Sequence, residues 1–479
     1  MFESDHTVQQ QIFAFSHREL VSENSDIWLY IDLFENLDLS DFRENYRGQG
    51  QVAKEPGMLL RTIFYGLTHG VVSGRKLEEV CRNDNRFIVL SGDTRPDKRT
   101  LHRFILRHKD LMPKLFVKVV RLAAKMDLIS LGRVAIDGSR FKGNTSSNKR
   151  MSYDKMQRAV GYIEEELRKL QEDLAKSNSE EATEIEDRLP KEIEKKSVRL
   201  EKIKRAIGEI EKEHQDKARA ETEEKPRDTD QKSLNDPEAL SLSHKSKGFM
   251  FGYNVQAAVE EKNQIIVAAH LHNKATDYQA LPALLEQTSE NCKQAPSEVL
   301  ADLGYKSADN IIAIEEANAL PIVAVGTNES VAVDVEFFEQ VQPTGRPNEY
   351  SCMRGTVLSA YPRKKNGRTE FSLRKGYCNG CAFSSSCKAY GKSQISIPSE
   401  KQRTALVRLH NRSKTEEFKE VYKRRKAIVE PVFGNIKNKG IRILLKGRDK
   451  VSTWWQMACT AHNIEKIIKY CPVSSAIPA

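Results

Sequence analysis

The sequence lacks any apolar run long enough to span a membrane, which argues against an integral membrane protein. Its N-terminal stretch, MFESDHTVQQQ, lacks the basic and apolar regions of a signal peptide, so we expect a cytoplasmic protein. The eight cysteines would then lie in a reducing compartment. There, metal binding or plain thiol roles are favoured over disulfide bonds.

The composition indicates a charged globular protein rather than a disordered chain, with 39% hydrophobic and 30% charged residues. A length of 479 residues is sufficient for two or three domains with a real core. Lysine and arginine number 77 against 67 acidic residues, which gives a net charge of +10. This balance favours a polyanionic partner such as nucleic acid.

An N-terminal helical domain is predicted for residues 1–125, with most of the helix between 25 and 125. Residues 57–70 and 101–125 carry apolar side chains at helical spacing, and the polar stretch 91–100 separates them. Short helices joined by such turns are the ingredients of a helix-turn-helix-like module.

The last of these predicted helices carries a basic face that we interpret as a DNA-binding surface. Between residues 54 and 109 there are twelve lysines and arginines against six acidic residues. The alternative is a solvated basic helix over an ordinary core. The residues predicted to contact DNA here are Arg99, His102, Arg103 and Arg107.

Farther along, the sequence RVAIDGSRFKGN predicts a short buried strand that ends on an acid, Asp137. We expect Gly138 to turn the backbone there, and Arg140 and Lys142 to face phosphate. Aspartate is disfavoured inside strands, whereas the strand ends of α/β sheets are where ligands bind. The alternative role for such an aspartate is that of a cap or turn residue.

Two further acids stand in similar contexts. Asp302 follows a second predicted strand in a region where strands and helices alternate. Glu430 lies in a predicted helix within the segment 423–450, which holds ten basic residues and two acids. Three such carboxylates suit a two-ion site for Mg²⁺ or Mn²⁺, which prefer oxygen ligands and can activate phosphodiester chemistry.

Two insertions interrupt this pattern. Residues 156–222 carry a/d heptads rich in Glu and Lys, which predicts an antiparallel helical hairpin; the alternative is a long helix that pairs with another subunit. Pro190 is expected in a first helical turn or at a kink. Residues 331–405 form a Cys-rich insert, whose thiols could hold a structural zinc ion or stay reduced. Those cysteines are Cys352, Cys378, Cys381 and Cys387.

These motifs, in this order, resemble a DDE transposase of a bacterial insertion sequence. The segments around Asp137, Asp302 and Glu430 resemble that family's three acid motifs, and the resemblance covers most of the chain. The similar segments are RVAIDGSRFKGNTSSNK (133–149), residues 247–281, VLADLGYKSADNI (299–311), YKRRKAIVEPVFGNIK (422–437), AHNIEKI (461–467) and, for the N-terminal helical domain, residues 46–84 with PDKRTLHRF.

The resemblance implies an α/β fold, a ribonuclease H-like mixed sheet flanked by helices, made from 130–155, 235–330 and 406–470. It also implies metal-dependent cleavage and strand transfer at the ends of a mobile element. Carried over by position, Tyr422, Arg425 and Lys437 match the DNA-contacting residues around the glutamate. The interval from arginine to glutamate differs by one from the commonest form, so Arg424 or Lys426 could replace Arg425 in this role.

The expected partners are double-stranded DNA, as element ends and target, and further copies of the chain in a homodimer or higher assembly. When bound to DNA the protein would be associated with the nucleoid. Two rival functions remain at this point. One is a non-catalytic, sequence-specific DNA-binding protein derived from a transposase, and the other is a metal-dependent nuclease that cuts without joining.

Overall fold

The computed structural model describes residues 17–46, 53–146, 149–176, 183–218, 225–244, 248–326, 340–346, 349–358, 363–365, 368–372, 376, 378–387, 390 and 394–470. The C-terminal tail 471–479, several parts of the Cys-rich insert including 331–339 and 359–362, and positions 177–182 and 219–222 of the predicted hairpin lie outside these residues. The chain divides into two units. One contains 1–129, 434–441 and 456–479, and the other contains 130–433 and 442–455.

The first unit is helical, in agreement with the prediction for residues 25–125. Three of its described helices are capped at their starts by carboxylates, those of Glu55, Asp84 and Asp97; Asp97 accepts the N–H of Thr100 at 2.7 Å. The N-terminal helices are α1 (Ile27–Asn36), α2 (Ser40–Glu44), α3 (Pro56–Thr68), α4 (Gly74–Asn83), α5 (Asn85–Leu90), α6 (Lys98–Arg107) and α7 (Met112–Lys125).

Helix α3 is the centre of this unit because it is buried on almost every side. Leu60, Phe64 and Tyr65 are fully buried. The Tyr65 ring packs edge-on against Tyr30 of α1, with ring centroids 5.1 Å apart. A helix without a polar face must be enclosed by others, and α1, α5 and α6 all pack on it.

The second unit is built on a six-stranded mixed sheet. Five strands follow the order β4-β5-β1-β7-β8, and the sixth strand, β6, also pairs with β5. Strand β1 runs antiparallel to β5 and parallel to β7. The strands are β1 (Arg133–Lys142), β2 (Arg150–Ser152), β3 (Gln231–Ser233), β4 (Leu240–His244), β5 (Gly248–Glu260), β6 (Ile266–His272), β7 (Glu298–Ala301) and β8 (Leu320–Val323).

Helices accompany this sheet along the chain, and the predicted alternation of strand and helix after residue 280 is confirmed. Among the described helices, none has a stretch long and apolar enough to cross a membrane. The remaining helices are α8 (Tyr153–Lys176), α9 (Thr183–Ala218), α10 (Leu281–Cys292), α11 (Ala308–Glu316), α12 (Glu400–Ser413), α13 (Glu416–Asn438) and α14 (Arg448–Tyr470).

Strand β1 is longer than predicted, and the expected turn at Gly138 is wrong. Pairing with β5 continues from Val134 through Asp137 to Lys142, because β5 is itself long enough to supply partners throughout. Gly138 is therefore an extended residue opposite Gln256. Asp137 lies inside the antiparallel pairing, although it is the first residue beyond the parallel pairing with β7.

The inserted hairpin is antiparallel, as predicted, and closes on itself. At its base Tyr153 donates to Glu211, and farther out Lys196 donates to Glu166 at 2.8 Å. Pro190 lies inside α9 rather than in its first turn. The hairpin has its own apolar core, which comprises Met156, Ile163, Leu167, Ile203, Ala206 and Ile210 together with Tyr153.

The described part of the Cys-rich insert forms two small antiparallel sheets. Their shared apolar cluster contains Val341, Leu358, Ile395 and Ile397, and Cys387 packs against it. The strands are β9 (Gln342–Pro343), β10 (Tyr350–Ser351), β11 (Val357–Leu358), β12 (Arg363–Lys365), β13 (Arg368–Ser372) and β14 (Gln394–Pro398).

Truncation of the hairpin core should destabilise the protein. Met156→Ala and Ile203→Ala each remove a fully buried side chain, so we expect each to lower the free energy of unfolding by about 2–5 kcal/mol. Val198→Ala is the control, because Val198 on α9 is 43% exposed. Urea unfolding followed by circular dichroism would measure this, and equal losses in all three variants would contradict the described packing.

Candidate active site

Strand pairing brings two of the predicted acids together. The parallel register between β1 and β7 pairs Ile136 with Ala301, so the next residues, Asp137 and Asp302, are neighbours where β7 ends. Each carboxylate also accepts a local backbone N–H. Asp137 Oδ1 accepts from Gly138, and Asp302 Oδ1 accepts from Gly304, both at 2.8 Å.

Asp137 is in an environment that disfavours its charge. Its side chain is 19% exposed, and burial raises the pKa of this carboxyl above its ordinary value. The positive charge of Arg425 and the N–H of Gly138 oppose that rise, while the negative charge of Asp302 adds to it. An additional cation near Asp137 would therefore stabilise the ionised form of its carboxyl group.

Arg425 is the cation that the fold supplies to Asp137. It projects from α13, its side chain is 8% exposed, and its Nη1 lies 3.2 Å from Asp137 Oδ2. Burial works against its charge, but the negative charges of Asp137 and Asp302 help to outweigh that effect, and the pKa of Arg425 is raised. Its buried Nε has no hydrogen-bond partner within the described part of the chain.

Glu430 lies on the same helix as Arg425 and is exposed. Pro431 follows it inside α13 without ending the helix. Across the described ranges, no group of three Asp, Glu, His or Cys side chains is placed to hold a metal ion. The structure thus pairs Asp137 with Asp302, and the role of Glu430 as the third acid stays a prediction.

Four polar residues beside the paired acids were missed by the sequence analysis: Asn254, Gln256, Asp277 and Tyr305. Asp277 Oδ1 accepts hydrogen bonds from the amides of Asn254 at 2.7 Å and Gln256 at 2.8 Å. The Tyr305 hydroxyl donates to Gln256 Oε1. A signal was present, since Asn254 and Gln256 are the two amide side chains within the otherwise apolar run YNVQAAV.

The predicted zinc ligands are not assembled into a site. All four cysteines are described and unbonded, yet they do not form a group of three that could hold a metal ion. Cys387 packs on the apolar cluster of the insert, and Cys352 follows strand β10. Both alternatives, a structural zinc ion and reduced thiols, therefore stay predictions.

The predicted DNA-contacting residues on α6 share its solvent side. Arg99, His102, Arg103 and Arg107 are exposed, while Leu101 and Phe104 on the opposite side are buried. The helix therefore presents its positive charge outward, as the DNA-binding interpretation requires. The Arg107 guanidinium also stacks over the Tyr46 ring, 5.0 Å from its centroid.

The other predicted DNA contacts occupy varied positions. Arg140 is exposed and donates to the Ser243 carbonyl at 2.8 Å, so it is tied to β4. Lys142 is exposed at the end of β1, and Lys437 is exposed near the end of α13. Tyr422 is half-buried and stacks on Phe418, with ring centroids 6.2 Å apart.

Comparison with protein families identifies two segments. A model described as "Transposase DDE domain" matches residues 351–468, and one described as "Transposase domain (DUF772)" matches residues 15–107. The first range includes Glu430, whereas Asp137 and Asp302 lie in the stretch between the two ranges. Searches of curated proteins and of solved structures gave no significant match.

The two matches indicate a transposase, with a DDE domain toward the C-terminus and a second transposase domain toward the N-terminus. They support the resemblance to a DDE transposase of a bacterial insertion sequence.

Loss of Arg425 should change the pH dependence of the site. In Arg425→Gln the charge that holds down the pKa of Asp137 is gone, so that pKa rises further. Activity that needs ionised Asp137 would then fall off at a higher pH than in the wild type. A pH–rate profile of Mn²⁺-dependent DNA nicking measures the shift.

Arg424→Gln is the matched control for this experiment, because the neighbouring Arg424 pairs with Glu261 and is exposed. We expect the acid limb of its pH–rate profile to coincide with that of the wild type. A common shift in both variants would show that general charge, rather than the contact with Asp137, sets the profile.

Proposed function

We propose that this transposase binds the terminal repeats of its mobile element and catalyses divalent-metal-dependent strand cleavage and strand transfer. Asp137, Asp302 and Glu430 are the proposed catalytic acids. The observation that carries the proposal is the pairing of β1 with β7, which makes Asp137 and Asp302 neighbours. The match of a DDE domain model to the segment that includes Glu430 supports the third assignment.

The residues present fit Mg²⁺ or Mn²⁺. Two neighbouring carboxylates offer hard oxygen donors, and burial of Asp137 makes a nearby cation favourable. Mg²⁺ commonly takes only one or two protein carboxylates and completes its shell with water and substrate phosphate. A site with two assembled acids is therefore compatible with this ion, and Glu430 would be a further ligand.

The proposed reaction is a hydrolysis followed by a transesterification, both at phosphorus. In cleavage, a water oxygen attacks the phosphorus at the element end, the P–O3′ bond breaks, and O3′ takes up a proton to become a 3′-hydroxyl. In strand transfer, that hydroxyl loses its proton and attacks a target phosphorus, from which the target O3′ leaves. Bound divalent ions would activate the nucleophile and stabilise the leaving oxygen.

Residues of the chain would bind the cation, balance the charge of the acids and contact the DNA. Asp137 and Asp302 would fix the cation, and Arg425 would balance the charge of Asp137 from the helix side. Arg140, Lys142, Tyr422 and Lys437 would contact DNA near the cut. The reaction would take place in the cytoplasm, on two DNA ends held by a homodimer or larger assembly.

The exposed basic face of α6 supports the binding of element ends. Arg99, His102 and Arg103 are exposed on this helix, whereas Leu101 and Phe104 are buried. Such a surface attracts DNA phosphates and gives salt-dependent affinity. If the acids have no catalytic role, this surface still supports the alternative function, a non-catalytic DNA-binding protein derived from a transposase.

Cleavage should require each proposed acid. Asp137→Asn, Asp302→Asn and Glu430→Gln are each expected to reduce Mg²⁺- or Mn²⁺-dependent nicking at the element boundary by at least about 100-fold, because ion binding supplies several kcal/mol of transition-state stabilisation. End binding in EDTA should persist. Gel analysis of DNA carrying the element's own ends measures both quantities.

Glu420→Gln is the control for these variants, because Glu420 is an exposed acid on α13 that pairs with Lys423. It should nick DNA at the wild-type rate. End binding without cutting by the wild type, under either metal, would instead establish the non-catalytic alternative.

The helix α6 surface should account for part of the salt dependence of binding. Arg99→Ala and Arg103→Ala should each weaken binding to DNA ends and lower the slope of log affinity against log salt by about 1. Fluorescence anisotropy at several salt concentrations measures the slope. Arg82→Ala, which removes an arginine paired with Glu78 on α4, should leave it unchanged, and equal slopes in all variants would refute the assignment.

A further inference from the structure

Gln256 occupies an unusual position in the sheet of the second unit. It is fully buried in β5 and stands opposite Gly138 of β1. Side chains alternate between the two faces of a strand, so Gln256 lies on the face opposite to that of Asp137. A buried amide in the middle of a sheet is costly unless each of its polar atoms is paired.

The amide of Gln256 is fully engaged. Its Nε2 donates to Asn254 Oδ1 at 2.9 Å and to Asp277 Oδ1 at 2.8 Å. Its Oε1 accepts the hydroxyl proton of Tyr305. Because Nε2 donates to Asp277, that end of the amide faces Asp277, and Oε1 is thereby directed at Tyr305.

Tyr305 connects this amide to Asp302. It is fully buried at the end of the short 3₁₀ turn Leu303–Tyr305, which begins directly after Asp302. Burial and the negative charges of Asp277, Asp137 and Asp302 hold the pKa of Tyr305 well above its ordinary value. The hydroxyl therefore stays protonated and remains a donor to Gln256.

Gly138 connects the same amide to Asp137. A Cβ atom at position 138 would lie 2.3 Å from Gln256 Nε2, far inside contact distance. The amide thus fills the space that the missing side chain leaves, directly against the backbone that follows Asp137. The Gln256 side chain therefore contacts Gly138, which follows Asp137, and also Tyr305, which lies in the turn after Asp302.

We propose that Gln256 is a positioning residue, which sets the separation of Asp137 and Asp302 through Gly138 and Tyr305 so that both carboxylates engage one divalent cation. This role rests on the proposed function. Asp277 and Asn254 act one step farther out, by orienting the amide. Residues that orient metal ligands commonly change metal affinity or activity by about 10–100-fold when they are replaced.

Gln256→Glu tests the proposal with little change in shape. The ionised carboxylate of this variant cannot donate to Asp277 and repels its charge, so at pH 8.5 we expect the Mn²⁺ concentration for half-maximal nicking to rise about 10-fold or more. Calorimetric titration of Mn²⁺ into the protein without DNA should show the same weakening. End binding in EDTA should not change.

Lower pH should rescue Gln256→Glu, because the protonated carboxyl of the variant can donate to Asp277 and accept from Tyr305 as the amide does. The other titratable groups near this position are Tyr305, His270 opposite Gln256 on β6, and Asp137 beside Gly138. Burial lowers the pKa of His270 to about 4, so it stays neutral during the assay. The Mn²⁺ requirement relative to the wild type should therefore fall between pH 8.5 and 6.

Tyr305→Phe is the second variant, since it removes only the hydroxyl and should raise the Mn²⁺ requirement at every pH. Gln264→Glu is the matched control, because that glutamine is only half-buried and donates to the Ala427 carbonyl, away from the Gln256 amide. It should behave as the wild type.

Two outcomes would overturn the proposal: an unchanged Mn²⁺ requirement in both site variants, or a lower melting temperature with unchanged Mn²⁺ binding. The proposed function fails separately, if Asp137→Asn still nicks DNA. In that case the Mn²⁺ requirement of the Gln256 variants carries no catalytic meaning, and the positioning role falls with it.

Discussion

The parallel pairing of β1 with β7 is the contact on which the site depends, because it sets two carboxylates side by side where β7 ends. The negative charge of Asp302 repels that of Asp137, and burial makes the ionised form of Asp137 less favourable still. The fold tolerates this arrangement by aiming the buried Arg425 at Asp137 from the adjoining helix. A partly buried charge without a partner would cost several kcal/mol.

Much of this architecture could be predicted from the sequence, because it depends on local patterns. The helices before residue 125, the heptads of the hairpin and the strands around Asp302 each carry a clear period of apolar residues. The extent of β1 could not be predicted in this way. An Asp-Gly pair is a turn signal locally, and only the presence of the long partner β5 keeps Asp137 and Gly138 extended.

The acids themselves were identified by motif, whereas their surroundings required the fold. Nothing in the spacing of Gln256 and Tyr305 indicates that a hydroxyl and an amide meet across 49 positions in the chain. The zinc assignment of the cysteines stays a prediction, since their spacing departs from two clean Cys-x-x-Cys pairs and Cys387 packs against the apolar cluster of the insert. Spacing along a chain constrains metal geometry only when the backbone between the ligands forms a compact turn.

The hairpin joins the rest of its unit through one short ribbon of the chain, and α9 also forms ion pairs with Glu238 and Arg448. The short ribbon of β2 and β3 joins its two roots, with Arg150 opposite Ser233, and the helices then pack on each other around a core of their own. A segment that enters and leaves through one narrow ribbon adds length without altering the register of the strands beneath it. The same ribbon would serve as a graft point, where a shorter helix pair or an unrelated module with closely spaced termini could be exchanged.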